Sequence, residues 1–207
     1  RFIALDRPVI KRNHGLHYPL IIKPSWQDGS SGVEACSVVH DYAHLTKQLE
    51  SVFQRFQMPI LVEEFIEGKE LHISVMGNDP PVALPIIEYD FSQLVDDHPQ
   101  VITYDIKWNP LVLPYHRVHS LCPARIDKKT EKLVMEHALR AYAATYCRDY
   151  ARIDVRLGND GVPYILEVNP NPDLTEGVSF MESAEKAGIS FSEALRRLVL
   201  FALDRNP

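Results

Sequence analysis

Two acidic residues face each other across a hairpin that the sequence predicts between residues 151 and 169. Asp160-Gly161 is a preferred dipeptide for a two-residue turn, and with this dipeptide at the tip the numbers of every opposed pair sum to 321. Asp154 then lies opposite Glu167, and alternation along each strand puts both on one face with their polar neighbours. The residues predicted to share that face are Arg152, Asp154, Glu167 and Asn169.

The chemistry that this face predicts is binding of a hard cation. Carboxylates placed directly opposite each other repel, and carboxylate and amide oxygens suit magnesium before zinc. The opposite face is a predicted core face, so a slip of one residue would bury the charges. Its residues are Ile153, Val155, Leu157, Tyr164, Leu166 and Val168. An acidic pair on a hairpin is more often the solvated face of a sheet, but the rigid run 170–173 after the strand favours a site.

A second candidate site is a loop rich in glycine and serine after a short strand. Lys23 lies near the end of that strand, and Gly29-Ser30-Ser31-Gly32 follows. Successive backbone N–H groups in such a loop can turn toward an anion, and the hydroxyls add donors. No Gly-Lys-Ser/Thr opens a helix, so this is not a Walker A motif. A flexible hairpin loop is the simpler interpretation of this segment taken alone.

A third candidate lies between two predicted strands, in Val62-Glu-Glu-Phe-Ile-Glu-Gly-Lys-Glu70. This segment could bind an adenine nucleotide. The acceptor for the adenine amino group would be Glu63, the adenine slot would be the backbone from Glu64 through Phe65 to Ile66, and the ribose carboxylate would be Glu70. A charged hairpin tip is the alternative for this segment alone. Lys107, in Thr103-Tyr-Asp-Ile-Lys-Trp108, is a lone lysine whose significance depends on the residues around it.

The composition is that of an ordinary globular protein, with 45% hydrophobic and 24% charged residues in 207. A net charge of -6 without a basic run argues against nucleic acid as the main partner. Cys36, Cys122 and Cys147 form no CxxC pair, which argues against disulfides and zinc and favours a reducing, cytoplasmic location. No apolar stretch reaches the roughly 18 residues that span a membrane. Because the chain starts at Arg1 without Met or a signal-peptide pattern, we expect an upstream region.

The predicted elements favour an α+β fold with mostly antiparallel sheets, since strands return through hairpins as well as helices. An entry segment, 1–17, shows no clear period, and 89–126 is predicted to be a functional loop or lid. A coarse boundary falls at Asp79-Pro80-Pro81, which separates subdomain 18–80 from subdomain 81–207. The predicted strands are 18–23, 34–39, 60–64, 70–76 and 82–88. Predicted helices follow Asp41, Asp127 and Ser190, and a short helix is predicted at 178–187.

The order of these motifs resembles the ATP-grasp superfamily, and within it the D-alanine–D-alanine ligase group. The resemblance spans about residues 18 to 204 and rests on Lys-Pro with the glycine-serine loop, Val-Glu-Glu-Phe-Ile-Glu-Gly-x-Glu, Tyr-Asp-x-Lys, and Arg-Ile-Asp-Val…Leu-Glu-Val-Asn. Each motif is weak alone, whereas the ordered set is specific. It implies two α+β subdomains that enclose ATP, and an enzyme that phosphorylates a carboxylate to an acylphosphate, which an amine attacks to form an amide.

The resemblance also implies a role for each matched residue. Lys23, the Gly29–Gly32 loop and Lys107 would contact the phosphates, and Glu63, with the backbone from Glu64 to Ile66, would hold the adenine. Glu70 would bind the ribose. Asp154, Glu167 and Asn169 would bind two Mg²⁺ ions, with Mn²⁺ as a possible substitute, and Arg152 would stabilise the transferring phosphate. The expected partners are a small carboxylate and a small amine, such as amino acids, and an upstream substrate-binding domain.

Asp173 departs from the group's pattern, which is Asn-x-x-Pro-Gly after the metal ligands. Here the run is Asn169-Pro-Asn-Pro-Asp173, so an acid replaces the glycine whose N–H helps to form the oxyanion hole. An acid there could bind an ammonium group, which makes Asp173 a candidate substrate residue and leaves the amine open. Two other functions fit the sequence: a non-catalytic Mg-ATP-binding regulatory module, and an ATP-grasp enzyme with a non-amine nucleophile.

Overall fold

The chain divides into two compact units in the computed structural model, which describes residues 1–95 and 98–204. Unit 1 is Arg1–Ile66 with Phe91–Val118, and unit 2 is Glu67–Asp90 with His119–Pro207. The boundary predicted near residue 80 therefore falls within unit 2, and the two ATP-grasp subdomains drawn from it stay a prediction. Residues 96–97 and 205–207 of the predicted subdomain 81–207 lie outside the described residues.

Unit 1 is built on an antiparallel sheet in the order β1-β4-β2-β3. Its helix α1 is capped by the Asp41 side chain, which accepts from the backbone N of His44 at 2.9 Å. Leu45, Leu49 and Val52 recur at helical spacing and bury one face of α1 in the core of this unit. The elements of unit 1 are β1 (Phe2–Leu5), β2 (Leu20–Pro24), β3 (Val38–Val39), α1 (Tyr42–Phe56), β4 (Ile60–Glu64), α2 (Tyr104–Trp108) and α3 (Leu113–Arg117).

Three segments have more or different regular structure than the sequence indicated. The entry segment 1–17 contains β1, which pairs with β4. Only the last two residues of the strand predicted at 34–39 belong to a strand, because Ala35–Ser37 forms a 3₁₀ turn. The predicted loop 89–126 carries α2, α3 and a strand. These elements are short, so neither their period nor their length distinguished them from a loop.

Unit 2 contains a larger antiparallel sheet in the order β10-β9-β5-β7-β8, with β6 also paired to β5. The long central strands β5 and β9 pair over their whole length. The strand predicted at 82–88 is two strands, separated around Pro85. The elements of unit 2 are β5 (Gly68–Met76), β6 (Val82–Ala83), β7 (Ile87–Asp90), β8 (His119–Leu121), α4 (Lys128–Ala144), β9 (Tyr150–Gly158), β10 (Pro163–Asn169), α5 (Ser179–Lys186) and α6 (Phe191–Asp204).

The two faces of β5 and β9 differ in chemistry because side chains alternate along a strand. One face is apolar and packs with α4, through buried residues such as Val134 and Ala138. The other face is polar along most of its length. At the Met76 end it becomes apolar, where Met76 packs with α5 and α6 residues such as Phe180 and Leu198. No helix in residues 1–95 and 98–204 is long and apolar enough to cross a membrane.

The hairpin of β9 and β10 has the predicted register where the acids lie and a different register near its tip. Glu167 pairs with Asp154 as predicted, but Ile165 pairs with Val155, because the register shifts between Ile165 and Glu167. The extra residue is Leu166, which is 46% exposed. The predicted core face is therefore wrong for Tyr164 and Leu166, which lie between the tip and Val168, because a β-bulge shifts the register there.

We predict that Gly32→Ala lowers the free energy of unfolding of unit 1 more than Gly15→Ala does. Both glycines have positive φ, +80° and +77°, so each substitution carries a similar backbone cost of about 1 kcal/mol. A Cβ at Gly32 would lie 2.7 Å from Pro24 and 2.9 Å from Phe56, whereas Gly15 has nothing within 4 Å. Overpacking of this kind adds roughly 1–3 kcal/mol.

Urea titrations followed by tryptophan fluorescence would measure this difference, because Trp26 and Trp108 both lie in unit 1. Equal losses for the two variants would show that the contacts of the loop with Pro24 and Phe56 are not tight.

Candidate active site

A buried polar grid lies on one face of the unit 2 sheet, formed by three cross-strand pairs between β5 and β9. The register places Glu70 opposite Arg156, His72 opposite Asp154, and Ser74 opposite Arg152. All six residues are buried, with exposures of 7% or less. Polar groups at this depth carry a high cost unless each has a partner, so the grid is a candidate site rather than an ordinary solvated sheet face.

Arg152 and Asp154 form an ion pair with two hydrogen bonds in the grid. Nε of Arg152 donates to Oδ1 of Asp154 at 2.6 Å, and Nη2 donates to Oδ2 at 2.8 Å. Burial by itself would lower the pKa of Arg152, but the hydrogen bonds and the charge of Asp154 outweigh it and raise the pKa above its usual value. The positive charge beside Asp154 is thus supplied by the chain itself. A metal ion is therefore not needed to offset the repulsion between the facing carboxylates of Asp154 and Glu167.

Asn169 connects the two carboxylates that were predicted to bind metal. Its Nδ2 donates to Oδ2 of Asp154 at 3.3 Å and to Oε1 of Glu167 at 2.9 Å. The hairpin therefore brings the three predicted ligands together. Within the described residues, no group of three His, Cys, Asp or Glu side chains is placed to hold a metal ion.

This donor set fits magnesium. Mg²⁺ usually takes one or two carboxylates and completes its shell with water and substrate phosphates, so it needs no cage made only of protein. Asn169 would have to turn its amide so that Oδ1 replaces Nδ2, which is a rotation of one side chain.

His72 and Tyr89 are polar residues of this region that the sequence reasoning missed. Nε2 of His72 lies 3.5 Å from Oδ2 of Asp154, and the rings of His72 and Tyr89 meet edge to face at 4.7 Å. Burial raises the pKa of Tyr89 to about 12, with Arg152 acting in the opposite direction, so the phenol keeps its proton at neutral pH. The alternation Glu70-x-His72-x-Ser74 carried the signal for His72, whereas Tyr89 lies on a strand whose pairing the sequence does not give.

Glu70, the predicted ribose ligand, is paired with an arginine that the sequence reasoning also missed. Nη1 of Arg156 lies 3.3 Å from Oε2 of Glu70, and Nη2 donates to the carbonyl of Gly68 at 3.1 Å. Burial lowers the pKa of Arg156, and Glu70 acts against this shift. Each acid of the grid, Asp154 and Glu70, therefore has its own arginine.

The glycine-serine loop is held in unit 1 by hydrogen bonds to the segment 102–108. Nε1 of Trp108 donates to the carbonyl of Gly29 at 2.8 Å, and Oγ of Ser30 donates to the carbonyl of Ile102 at 2.9 Å. Gly29, Ser30 and Gly32 all have positive φ, whereas the N–H of Ser31 donates to Asp28. The backbone thus has the turned conformation from which N–H groups can face an anion.

Lys23 and Glu63 are brought together on neighbouring strands. Their Nζ and Oε2 atoms lie 2.6 Å apart, and each side chain is about 30% exposed, at 30% and 28%. A partly exposed pair of this kind contributes little stability, so a polyphosphate could compete for the lysine. Oε1 of Glu64 accepts from Nδ1 of His17 at 2.9 Å, and the N–H of Phe65 donates to the carbonyl of Pro19 at 2.9 Å.

Lys107 lies in the last turn of α2, not in an irregular loop. Its Nζ lies 5.5 Å from the ring centroid of Trp108, the residue that holds Gly29. The structure therefore places the Lys107 side chain beside the tryptophan that bonds the glycine-serine loop.

Asp173 has a local structural role in unit 2. Its Oδ1 accepts from the N of Thr175 at 2.8 Å and from Oγ1 of Thr175 at 2.6 Å, in the manner of an Asx turn. This turn explains an acid at the position without a ligand. Binding of an ammonium group by Asp173 stays a prediction.

A protein-family model described as "D-ala D-ala ligase C-terminus" matches residues 6–200. The chain belongs to this family. The match covers both units and every candidate residue named above, and it confirms the resemblance and the α+β fold with antiparallel sheets. The roles of the individual residues stay predictions.

Relatives and solved structures agree with the family assignment. An uncharacterized protein, y4sG, of Sinorhizobium fredii is 31% identical over 89% of this chain and 52% of its own length. A D-alanine–D-alanine ligase of Desulfotalea psychrophila is 31% identical over 92% of this chain and 56% of its own length.

The crystal structure of the D-alanine–D-alanine ligase of Bacillus anthracis in complex with ATP is similar, with a TM-score of 0.74 and 25% identity. The similarity covers 99% of this chain and 60% of that one. The chain thus spans between half and three fifths of the length of these relatives.

We predict that Arg152→Met destabilises this family member by roughly 3 kcal/mol, because it leaves Asp154 as a buried charge without its strongest partner. Arg196→Met is the matched control. Arg196 grips Glu193 with the same two-pronged geometry, at 2.7 and 2.9 Å, but its side chain is 62% exposed against 9% for Arg152. We expect no measurable change for the control.

Urea denaturation followed by circular dichroism would compare the two variants. A similar small loss for both would mean that water reaches Asp154 in unit 2.

Proposed function

We propose that this chain is part of an ATP-dependent carboxylate–amine ligase that forms an amide through an acylphosphate. The observation that carries the proposal is the polar grid of unit 2 with its adjoining carboxylate–carboxylate–amide cluster, on a chain that belongs to the family of D-Ala–D-Ala ligase C-terminal regions. In the reaction, a carboxylate oxygen attacks the γ-phosphorus and ADP leaves. The amine nitrogen then attacks the acyl carbon, phosphate leaves, and the nitrogen loses a proton.

The unit 1 residues would bind the nucleotide. Lys23, Lys107 and the N–H groups of the Gly29–Gly32 loop would hold the phosphates. Glu63 and the backbone from Glu64 to Ile66 would hold the adenine. Phosphoryl transfer depends more on positioning and charge neutralisation than on covalent help from the protein. The turned backbone of the loop supports this assignment, since the positive φ values of Gly29, Ser30 and Gly32 let N–H groups face an anion.

The unit 2 residues would balance the charge of the transferring group. Asp154, Glu167 and Asn169 would hold Mg²⁺, with Mn²⁺ as a substitute, and the metal would neutralise charge on the phosphates. Arg152 would share its guanidinium between Asp154 and the oxygens of the transferring phosphoryl group, because its planar fork can bind carboxylate and phosphate alike. Glu70 would accept hydrogen bonds from the ribose hydroxyls.

The substrates are proposed as a class only, namely amino acids or similar small molecules. The replacement of glycine by Asp173 leaves the amine open. We further propose that the carboxylate is bound with the help of residues outside this chain, as the greater length of the relatives suggests. A cytoplasmic location suits an ATP-dependent enzyme and the free Cys36, Cys122 and Cys147.

An isotope experiment would test the reaction type. With ¹⁸O in the substrate carboxylate, an acylphosphate route transfers one labelled oxygen to the released phosphate. Screening paired acids and amines for phosphate release would identify substrates, and mass analysis of the product would distinguish an amine from another nucleophile. Tight Mg-ATP binding without turnover for any pair would instead favour the regulatory module.

We predict that Asp154→Asn and Glu167→Gln each reduce Mg²⁺-dependent ATP turnover at least about a hundredfold, since each removes a charge from the metal site. Asp160→Asn is the control. Asp160 lies at the tip of the same hairpin, where its oxygens accept from the N of Val162 and the hydroxyl of Tyr164, and an amide oxygen can still accept.

Phosphate release by the full-length protein, measured over a range of Mg²⁺ concentrations, would give both the rate and the apparent metal affinity of each variant. Wild-type turnover and metal dependence in both site variants would exclude this metal assignment.

A further inference from the structure

We propose that Arg156 is a positioning residue that fixes the Glu70 carboxylate for the sugar of ATP, so that the pair sets the preference for ribose over deoxyribose. This inference rests on the proposed function, because that function places Glu70 at the ribose.

The position of Arg156 on β9 makes the contact with Glu70 a direct one. The two residues are register partners in the β5–β9 pairing, and their side chains project from the same face of the sheet. Nη1 of Arg156 lies 3.3 Å from Oε2 of Glu70, and the side chains are only 3% and 9% exposed. Little solvent screening therefore weakens the pair, and the orientation of one side chain depends on the other.

A second contact fixes the arginine itself. Its Nη2 donates to the carbonyl of Gly68 at 3.1 Å, at the first residue of β5. A Cβ on Gly68 would lie 2.1 Å from the carbonyl oxygen of Leu157, so the two backbones approach too closely there for any residue but glycine. The guanidinium thus spans the start of β5, from the carbonyl of Gly68 to the carboxylate of Glu70. A fork of this kind cannot be reproduced by lysine.

The charges of the grid show why Glu70 needs this arginine. Arg152 donates to Asp154 through Nε and Nη2, whereas Glu70 is paired with Arg156, so Asp154 and Glu70 are matched to different arginines. Without Arg156, the buried Glu70 carboxylate would lose the cation that its register partner supplies. An ionised carboxylate accepts at about four lone-pair positions, so a bond from Arg156 leaves it able to accept from sugar hydroxyls.

A purely structural ion pair is the alternative, because buried pairs often contribute little net stability and can be replaced by apolar residues. The two interpretations differ in one observable. Loss of a purely structural pair changes the affinities for ATP and for its deoxy analogues by the same factor. Loss of a positioning pair weakens binding of ATP more than binding of the analogue that lacks the contacted hydroxyl.

Binding of Mg-ATP, 2′-deoxy-ATP and 3′-deoxy-ATP to this chain would be measured by calorimetry. The variants are Glu70→Gln, Arg156→Met, Arg156→Lys and the double variant Glu70→Gln/Arg156→Met. Lys69→Met is the control, because it breaks the ion pair of Lys69 with Glu88. Lys69 lies on the same strand as Glu70 but projects from the opposite face of the sheet. Circular dichroism establishes that each variant is folded.

We expect the wild-type chain to prefer ATP over at least one deoxy analogue by about tenfold, as for a hydrogen bond to a charged group. Glu70→Gln and Arg156→Met should each reduce this preference to less than about threefold, with no further loss in the double variant. Lys69→Met should keep it. If Arg156→Met does not fold, Arg156→Lys decides the question. It retains the charge without the fork, so we expect it to lose the preference for ATP as well.

The outcomes separate the inference from the proposed function. Preference lost in Glu70→Gln but retained in the Arg156 variants overturns the role of Arg156 and leaves the proposed function standing. Preference retained in Glu70→Gln overturns the placement of Glu70 at the ribose, and the inference with it. A wild-type chain that binds ATP and both deoxy analogues equally overturns the inference and the placement of Glu70 at the ribose, but not the proposed reaction. A wild-type chain that binds no Mg-ATP overturns both the inference and the proposed function.

Discussion

The antiparallel pairing of β5 with β9 is the constraint on which the unit 2 site depends. The pairing places Glu70, His72 and Ser74 opposite Arg156, Asp154 and Arg152, all buried. Ionised groups at this depth are tolerated only where opposite charges and hydrogen bonds accompany them. Asp154 is therefore held by Arg152, two residues before it on the same strand, and Glu70 by Arg156 on the neighbouring strand. A change of register in this pairing would disturb every one of these contacts at once.

The same pairing divides the sheet into a face for stability and a face for chemistry. The apolar alternate residues pack with α4 and form the core of unit 2. That core can hold the strands rigidly while the polar face keeps groups that a stable core would exclude. Natural proteins tend to break local rules of burial at functional sites and to compensate elsewhere. The hydroxyl of Ser74, fully buried and without a hydrogen-bond partner, is such an exception.

The sequence predicted the parts of the site that depend on neighbouring residues. The hairpin register at Asp154 and Glu167 follows from a turn dipeptide and from alternation, and the cap at Asp41 follows from residue type. It did not predict the bulge at Leu166, because one extra residue near a tip leaves the pattern of the site end intact. It also gave no partner for Glu70, since that partner lies 86 residues away on β9.

The order of the residues along the chain specifies the chemistry that is available: the motifs and their order, the α+β class, and two carboxylates and an amide on one face of a hairpin. The balance of the charges became visible only in the folded chain. There, Arg152 neutralises Asp154 and Arg156 holds Glu70. The reason is physical: alternation fixes the face on which a side chain lies, but the partner that it meets depends on which strands become neighbours, and contacts between distant segments set that choice.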